Sequence, residues 1–145
     1  MLVGYTTGVF DLFHSGHLNI LKRAKANCDY LIVGVSTDEL VSSYKDKSPI
    51  VSFHERFEII QAIKYVDKVV PQESMDKLVA WEKLKFNLHF HGNDWKDSTY
   101  YNELQKKFNK VGVKQIYFPY TKGTSTSYLK EKIYNVVFTE NKKTV

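Results

Sequence analysis

The stretch T-T-G-V-F-D-L-F-H-S-G-H, Thr6 to His17, decides how the chain is read. An apolar, β-branched run from Leu2 to Thr7 leads into it and stops at Gly8, and a helical pattern leaves it at Ser15 or Gly16. Where a strand hands over to a helix through a glycine-containing turn, free backbone N–H groups and the positive end of the helix dipole meet, and anions bind. His14 and His17 stand three apart at the helix start, so both can face that site, and each can donate a hydrogen bond to a phosphate oxygen. The turn is read as a nucleotide triphosphate site that the rest of the chain completes. Two other readings stay open on these residues alone. One imidazole could cap the helix, or the pair could hold zinc, for which a third ligand is needed and His91 is the one placed near the same edge.

Beyond the turn, strand and helix patterns alternate to the end. The first helix runs to about Asn27, with Leu18, Leu21 and Ala24 on one face. Asp29 to Ser36 is apolar throughout, as a strand covered on both faces must be. Thr37-Asp38-Glu39 opens a short helix, and Ser42 to Ser52 reads as a polar loop carrying Lys45 and Lys47. A helix follows over Phe53–Lys64, with Phe57, Ile60 and Ile63 on one face joined by Ile59 and Ala62. Then come a strand over Val66–Val70, a helix over Met75–Lys85 and a short strand over Leu88–His91 closed by Gly92. A helix over Ser98–Lys110 stops at Gly112, Val113–Phe118 is the fifth strand, and Ser125 or Thr126 caps a last helix to about Val137. This order predicts an α/β, doubly wound, Rossmann-like five-stranded parallel sheet with helices on both faces. Residues 1–138 form one domain and 139–145 a polar, frayed tail. In such sheets ligands sit at the carboxyl ends of the strands. The unusual polar segments all follow strands: Gly8 to His17, the Lys45/Lys47 loop, Gly92 to Trp95, and Tyr120 to Ser127.

Composition narrows the function classes. The 145 residues, 43% hydrophobic and 26% charged, are those of one ordinary globular domain. The net charge of +5 suits anionic ligands or a solvated lysine surface. No dense Lys/Arg cluster with interleaved aromatics marks a nucleic-acid binder, so that class is set aside. The one cysteine, Cys28, excludes an intramolecular disulfide and reads as a buried structural thiol. With neither a long apolar run nor a leader pattern, no membrane insertion and a cytoplasmic location are expected.

The segment G-V-F-D-L-F-H-S-G-H resembles the H-x-G-H motif of the nucleotidyltransferase superfamily. With R-A-K, D-Y-L-I-V-G-V-S-T-D-E, H-E-R, I-K-Y-V-D-K-V, G-N-D-W and T-K-G-T-S-T-S in order, residues 3 to 133 are similar to the glycerol-3-phosphate cytidylyltransferase family. The resemblance implies transfer of CMP from CTP, as MgCTP, to a small phosphorylated alcohol by direct attack, in a homodimer. It implies that His14 and His17 stabilise the α-phosphate and that Thr7, Gly8, Val9 and Phe10 pack against phosphates and ribose. Asp11 would hold the turn or touch magnesium, and Gly16 would let phosphate approach the helix. Lys45 and Lys47 match a K-x-K pair in a mobile loop, Arg56 an arginine near the phosphates, and Lys64 a position that usually holds arginine.

Gly92, Asn93, Asp94 and Trp95 match the segment lying against cytosine and ribose, although Trp95 as plain core is the alternative. Thr121, Gly123, Thr124, Ser125 and Thr126 match the segment opening the last helix, which would bind the β- and γ-phosphates. Tyr120 stands where the family has arginine, and Lys122 where it has glutamate. These departures keep other readings alive: a different phosphorylated acceptor (ethanolamine or choline phosphate, a sugar or amide phosphate), or ATP as donor. A non-catalytic nucleotide-binding module is a separate alternative, which would predict loss of a histidine where both are present.

Overall fold

A computed structural model describes residues 1–92, 98–119 and 121–143, with side chains described to residue 139. Its five strands are β1 (Val3–Gly8), β2 (Tyr30–Ser36), β3 (Lys68–Gln72), β4 (Leu88–Gly92) and β5 (Lys114–Phe118). They form one sheet in the order β3-β2-β1-β4-β5, every pair parallel. The helices are α1 (Ser15–Ala26), α2 (Asp38–Tyr44), α3 (Phe53–Gln61), α4 (Lys77–Leu84), α5 (Thr99–Val111) and α6 (Thr126–Lys143). This is the doubly wound architecture expected. Strand order reverses between β1 and β4, so a crevice opens at their carboxyl ends.

Two apolar layers cover the sheet. On one face Leu31, Val33 and Val35 of β2 pack with Leu21 and Ala24 of α1, Ile60 of α3 and Phe90 of β4. On the other, Tyr5 and Ile32 pack with Phe86 and with Leu104 and Phe108 of α5. Alternate residues of β2 therefore enter opposite cores, which is why its sequence is apolar without a break.

Several boundaries differ from the sequence reading. Helix α2 continues through Ser42 and Ser43 to Tyr44, so the polar loop starts at Lys45. Helix α3 ends at Gln61 rather than Lys64, because tight turns from Ile60 to Val66 lead the chain into β3. Ile59 and Ala62 therefore lie exposed, outside the apolar face assigned to them. Strand β3 lies two residues later than expected and includes Pro71, which an edge strand accommodates because one side needs no ladder hydrogen bond. Cys28 is half-buried, its Sγ 3.3 Å from Ala24 O. Helix α6 extends to Lys143, well past Val137.

Candidate active site

The turn after β1 is built around the two histidines. His14 is the N-cap of α1, in extended backbone conformation, and its Nδ1 accepts the N–H of Gly16 at 3.0 Å. His17, one turn on, accepts the His14 N–H on its own Nδ1 at 3.2 Å. The pair thus forms a capping box in imidazole, where Ser/Thr and Glu usually stand. The rings stack with centroids 3.8 Å apart. With both Nδ1 atoms accepting, each neutral ring carries its proton on Nε2, which is left as a donor. Burial, reinforced at His17 by the neighbouring His14, lowers both pKa values, that of His17 to about 4, so both rings are neutral donors at pH 7. The capping alternative is thus realised on Nδ1 without removing the donor on Nε2.

Gly16 has a different reason from the one expected. A Cβ there would meet His14 Cε1 at 2.7 Å and Nδ1 at 2.9 Å. The missing side chain makes room for the histidine ring. Gly8 likewise leaves space for the buried ring of Phe10, whose backbone takes φ 57° to turn the chain over the crevice.

Asp11 holds the turn against the loop after α2. Its Oδ2 accepts the Ile50 N–H and its Oδ1 the Val51 N–H, both at 2.9 Å. Burial alone would raise the pKa of Asp11, but these two amides and Lys130 outweigh it and hold the carboxyl below its ordinary value. Both carboxylate oxygens are thus tied to the Ile50–Val51 backbone across the turn. Arg56 is also placed otherwise than expected. It is 1% exposed, and its guanidinium donates to Val51 O, Val9 O, Ser36 O and Asp38 Oδ1 at 2.7–2.9 Å. It clamps the ends of β1 and β2 and does not line the crevice. Lys64 is exposed beyond α3, over the Tyr65 ring, also away from the crevice.

The crevice itself is a cavity of about 600 Å³ at the carboxyl ends of the central strands, a size suited to a nucleotide. Thr7, Gly8, Val9, Phe10, Asp11 and His17 form its floor, Lys45 and Lys47 one wall, His91 and Gly92 another. Helix α6 closes it with Thr126 and Lys130. Ser125 caps this helix through the Tyr128 N–H at 3.0 Å, while the Thr126 hydroxyl donates to Asp11 O at 2.9 Å and lies 3.4 Å from His14 Nε2. Thr121 is tied to Asn19 of α1, Gly123 turns the chain at φ 86°, and Thr124 approaches Gly16, so this segment supports the turn without lining the cavity. Asn93, Asp94, Trp95 and Tyr120 lie outside the described residues.

Two lysines escaped the sequence reading. Lys130 lines the cavity one helical turn after Thr126, its Nζ 3.5 Å from Asp11 Oδ2; the i, i+4 spacing from Thr126 was the available signal. Lys77, 3% exposed, crosses from α4 to donate to Thr7 Oγ1 at 2.9 Å, and burial pushes its pKa down to about 8. No local pattern marks it, since its burial arises from packing alone. His91 entered only as a possible zinc ligand; among the described residues no cluster of three His, Cys, Asp or Glu side chains could hold a metal. No helix there is long and apolar enough to cross a membrane.

Known proteins share this architecture. The profile of the cytidylyltransferase-like family matches residues 5–143. Glycerol-3-phosphate cytidylyltransferase of Bacillus subtilis is 37% identical over 135 residues, spanning 88% of this chain and 94% of that protein. Ethanolamine-phosphate cytidylyltransferase of Mus musculus is 43% identical over 88 residues, spanning 60% of this chain but 22% of that protein. Among solved structures, a lipopolysaccharide core biosynthesis protein from Thermoplasma volcanium superimposes with TM-score 0.71 at 31% identity, covering 86% of this chain and 99% of that one. The chain belongs to the cytidylyltransferase-like family.

Proposed function

We propose that this member of the cytidylyltransferase-like family transfers CMP from CTP to a small phosphomonoester, giving a CDP-alcohol and pyrophosphate. The observation that carries the reading is the His14–His17 pair, with both Nδ1 atoms tied to backbone and both Nε2–H groups neutral donors, that of His17 at the cavity and that of His14 3.4 Å from Thr126 Oγ1. In the reaction an acceptor phosphate oxygen forms a bond to the α-phosphorus as the bond to the bridging oxygen of pyrophosphate breaks. Charge gathers on the equatorial oxygens, where preorganised donors act; one such donor contributes roughly 3 kcal/mol, about 10²–10³ in rate. A phosphate nucleophile is already anionic, so neutral imidazoles suffice and no covalent intermediate is needed.

The cations have distinct places in this scheme. Lys45, Lys47 and Lys130 surround the cavity and would hold the triphosphate and the leaving pyrophosphate. Lys77, buried behind the cavity-lining Thr7 and bonded to its hydroxyl, would add positive charge towards the acceptor phosphate. The open ends of α1 and α6 would add backbone donors for the phosphates. Magnesium would enter as MgCTP, held by phosphate oxygens and water, as this ion commonly is. With both Asp11 oxygens engaged by amides, the described residues offer it no protein cage.

For the acceptor we read glycerol 3-phosphate, because the relatives so named, in Bacillus subtilis and Staphylococcus aureus, match over nearly their full length. Ethanolamine phosphate is the second reading, motivated by the 43% identity to the mouse enzyme across the shared region. A homodimer and a cytoplasmic setting complete the reading; the first rests on the family resemblance and is measured by light scattering, the second on the sequence pattern alone. The test of the chemistry is pyrophosphate release with CTP or ATP against glycerol 3-phosphate, ethanolamine phosphate and choline phosphate. Release with CTP and glycerol 3-phosphate is expected. Release with another acceptor moves the substrate, release with ATP alone moves the donor, and no release with any pair overturns the reaction.

A further inference from the structure

We propose that His91 takes up a proton when a nucleoside triphosphate fills the crevice, so that an imidazolium at the end of β4 becomes part of the nucleotide site. The inference rests on the nucleotide reading above. It starts from a mismatch in hydrogen bonding. His91 Nδ1 lies 2.9 Å from Gly92 O, and its Nε2 lies 3.1 Å from Gln115 Oε1. Both partners are acceptors. The orientation of the Gln115 amide is set by its Nε2, which donates to Tyr101 O at 3.2 Å and so turns Oε1 towards the histidines. Neutral imidazole has one N–H and satisfies one of these contacts; only the doubly protonated ring satisfies both.

The neighbouring rings favour the cation. The His91 ring centroid lies 4.2 Å from that of Tyr101 on α5 and 4.0 Å from that of Tyr117 on β5, the latter edge-to-face. Aromatic faces at this distance attract a cation. Against it stand burial and the ammonium of Lys77 on α4, which together hold the His91 pKa below its ordinary value despite the two acceptors. His89, the other titratable group on β4, shares the same Gln115 Oε1 at 3.1 Å, and burial holds its pKa far below normal, so it stays neutral. Of the two β4 histidines, His91 is the one that lines the cavity. In the empty crevice it is neutral at pH 7 with one acceptor contact unmet. A triphosphate brings several negative charges into that cavity and shifts the balance to the cation.

The experiment follows the ring directly. Nitrogen-15 shifts of labelled histidine are recorded from pH 5.5 to 8.5, with and without CTP, and His91 is assigned by triple resonance. Alongside, CTP binding is measured by calorimetry at pH 7.5 in two buffers of different ionisation enthalpy, for the wild type and for His91→Gln. The free protein is expected to titrate below the ordinary histidine range, and the CTP complex at least one pH unit higher, with both ring nitrogens protonated. Wild-type binding then takes up a fraction of a proton more than His91→Gln, and its affinity rises more steeply as pH falls, by up to about tenfold per pH unit. The shifts of the wild type decide the matter should His91→Gln fail to fold. A single-proton ring throughout the titration of the saturated complex overturns the proposal. Absence of any CTP binding heat strikes the nucleotide reading instead, and leaves the shifts of the free protein to show whether the ring is poised below neutrality.

Discussion

The ammonium of Lys77 lies 2.9 Å from the hydroxyl of Thr7, joining the start of α4 to the end of β1. This buried cation lies behind Thr7, whose residue lines the crevice, and among the described residues no carboxylate is in hydrogen-bond contact with it. Burying it costs stability while it is charged, and its pKa of about 8 records that cost. Between pH 8 and 10.5 the unfolded chain keeps the proton and the folded one loses it, so stability rises with pH across that window, by about 3 kcal/mol at most. Lys77→Met keeps the volume and removes the charge. We expect turnover to fall on the order of 10²-fold, stability at pH 7.5 to hold or increase, and the gain in urea midpoint between pH 8 and 10 to vanish. Unchanged turnover would remove Lys77 from the acceptor site.

The cap and the donor of His14 can be separated. In His14→Asn the amide oxygen can still accept the Gly16 N–H, but the Nε2 donor is gone. Turnover should drop ~10²–10³-fold with the melting temperature nearly constant. His14→Ala loses both and should cost a further ~1 kcal/mol of stability. Equal activity in Asn and wild type would refute the donor role.

His17 sets an acid limit. Its folded pKa of about 4 lies below the ordinary 6.5, so the unfolded state binds more protons between those values. Stability is therefore full above pH 6.5 and declines as pH falls towards 4. Urea titrations at pH 7, 5.5 and 4.5 should show this decline, and His17→Gln should flatten it.

Gly16→Ala places a methyl group against the His14 ring, 2.7 Å from Cε1. The backbone of α1 accepts alanine, so helix stability is not the issue. The imidazole must rotate off its cap. We expect at least a tenfold loss in kcat with little change in KM for CTP, read from steady-state rates at saturating acceptor.

Arg56 is a stability residue in this structure. Its guanidinium satisfies three carbonyls and a carboxylate with essentially no solvent exposure. Arg56→Lys cannot reproduce the fork and leaves acceptors unmet, at a cost of ~3–5 kcal/mol. Chemical denaturation measures it. A stable Arg56→Lys protein with a raised KM for CTP would instead restore a phosphate contact.

Much of the site was legible because it is local. The handover at Gly8, the histidine spacing, the Ser125 cap and the alternation of elements are all written within a turn or a strand of sequence. Helix ends are less legible: the apolar spacing of Ile63 extends the α3 pattern to Lys64, yet Ile63 reaches the core from the turn beyond. The pattern likewise places Ile59 and Ala62 beside the apolar face, where packing leaves them in solvent.

The sequence by itself determined the doubly wound sheet, the turn after β1 and the two imidazoles within it, since hydrophobic period and helix-start chemistry depend on near neighbours. The tertiary structure alone decided which charges lie beside that turn. Arg56 was drawn away by carbonyls of Val9, Ser36 and Val51, and Asp11 by the amides of Ile50 and Val51. Lys77 and Lys130 were brought in from helices far along the chain. A charged side chain takes its role from the partners and the burial that packing supplies, and most of those partners lie tens of residues away.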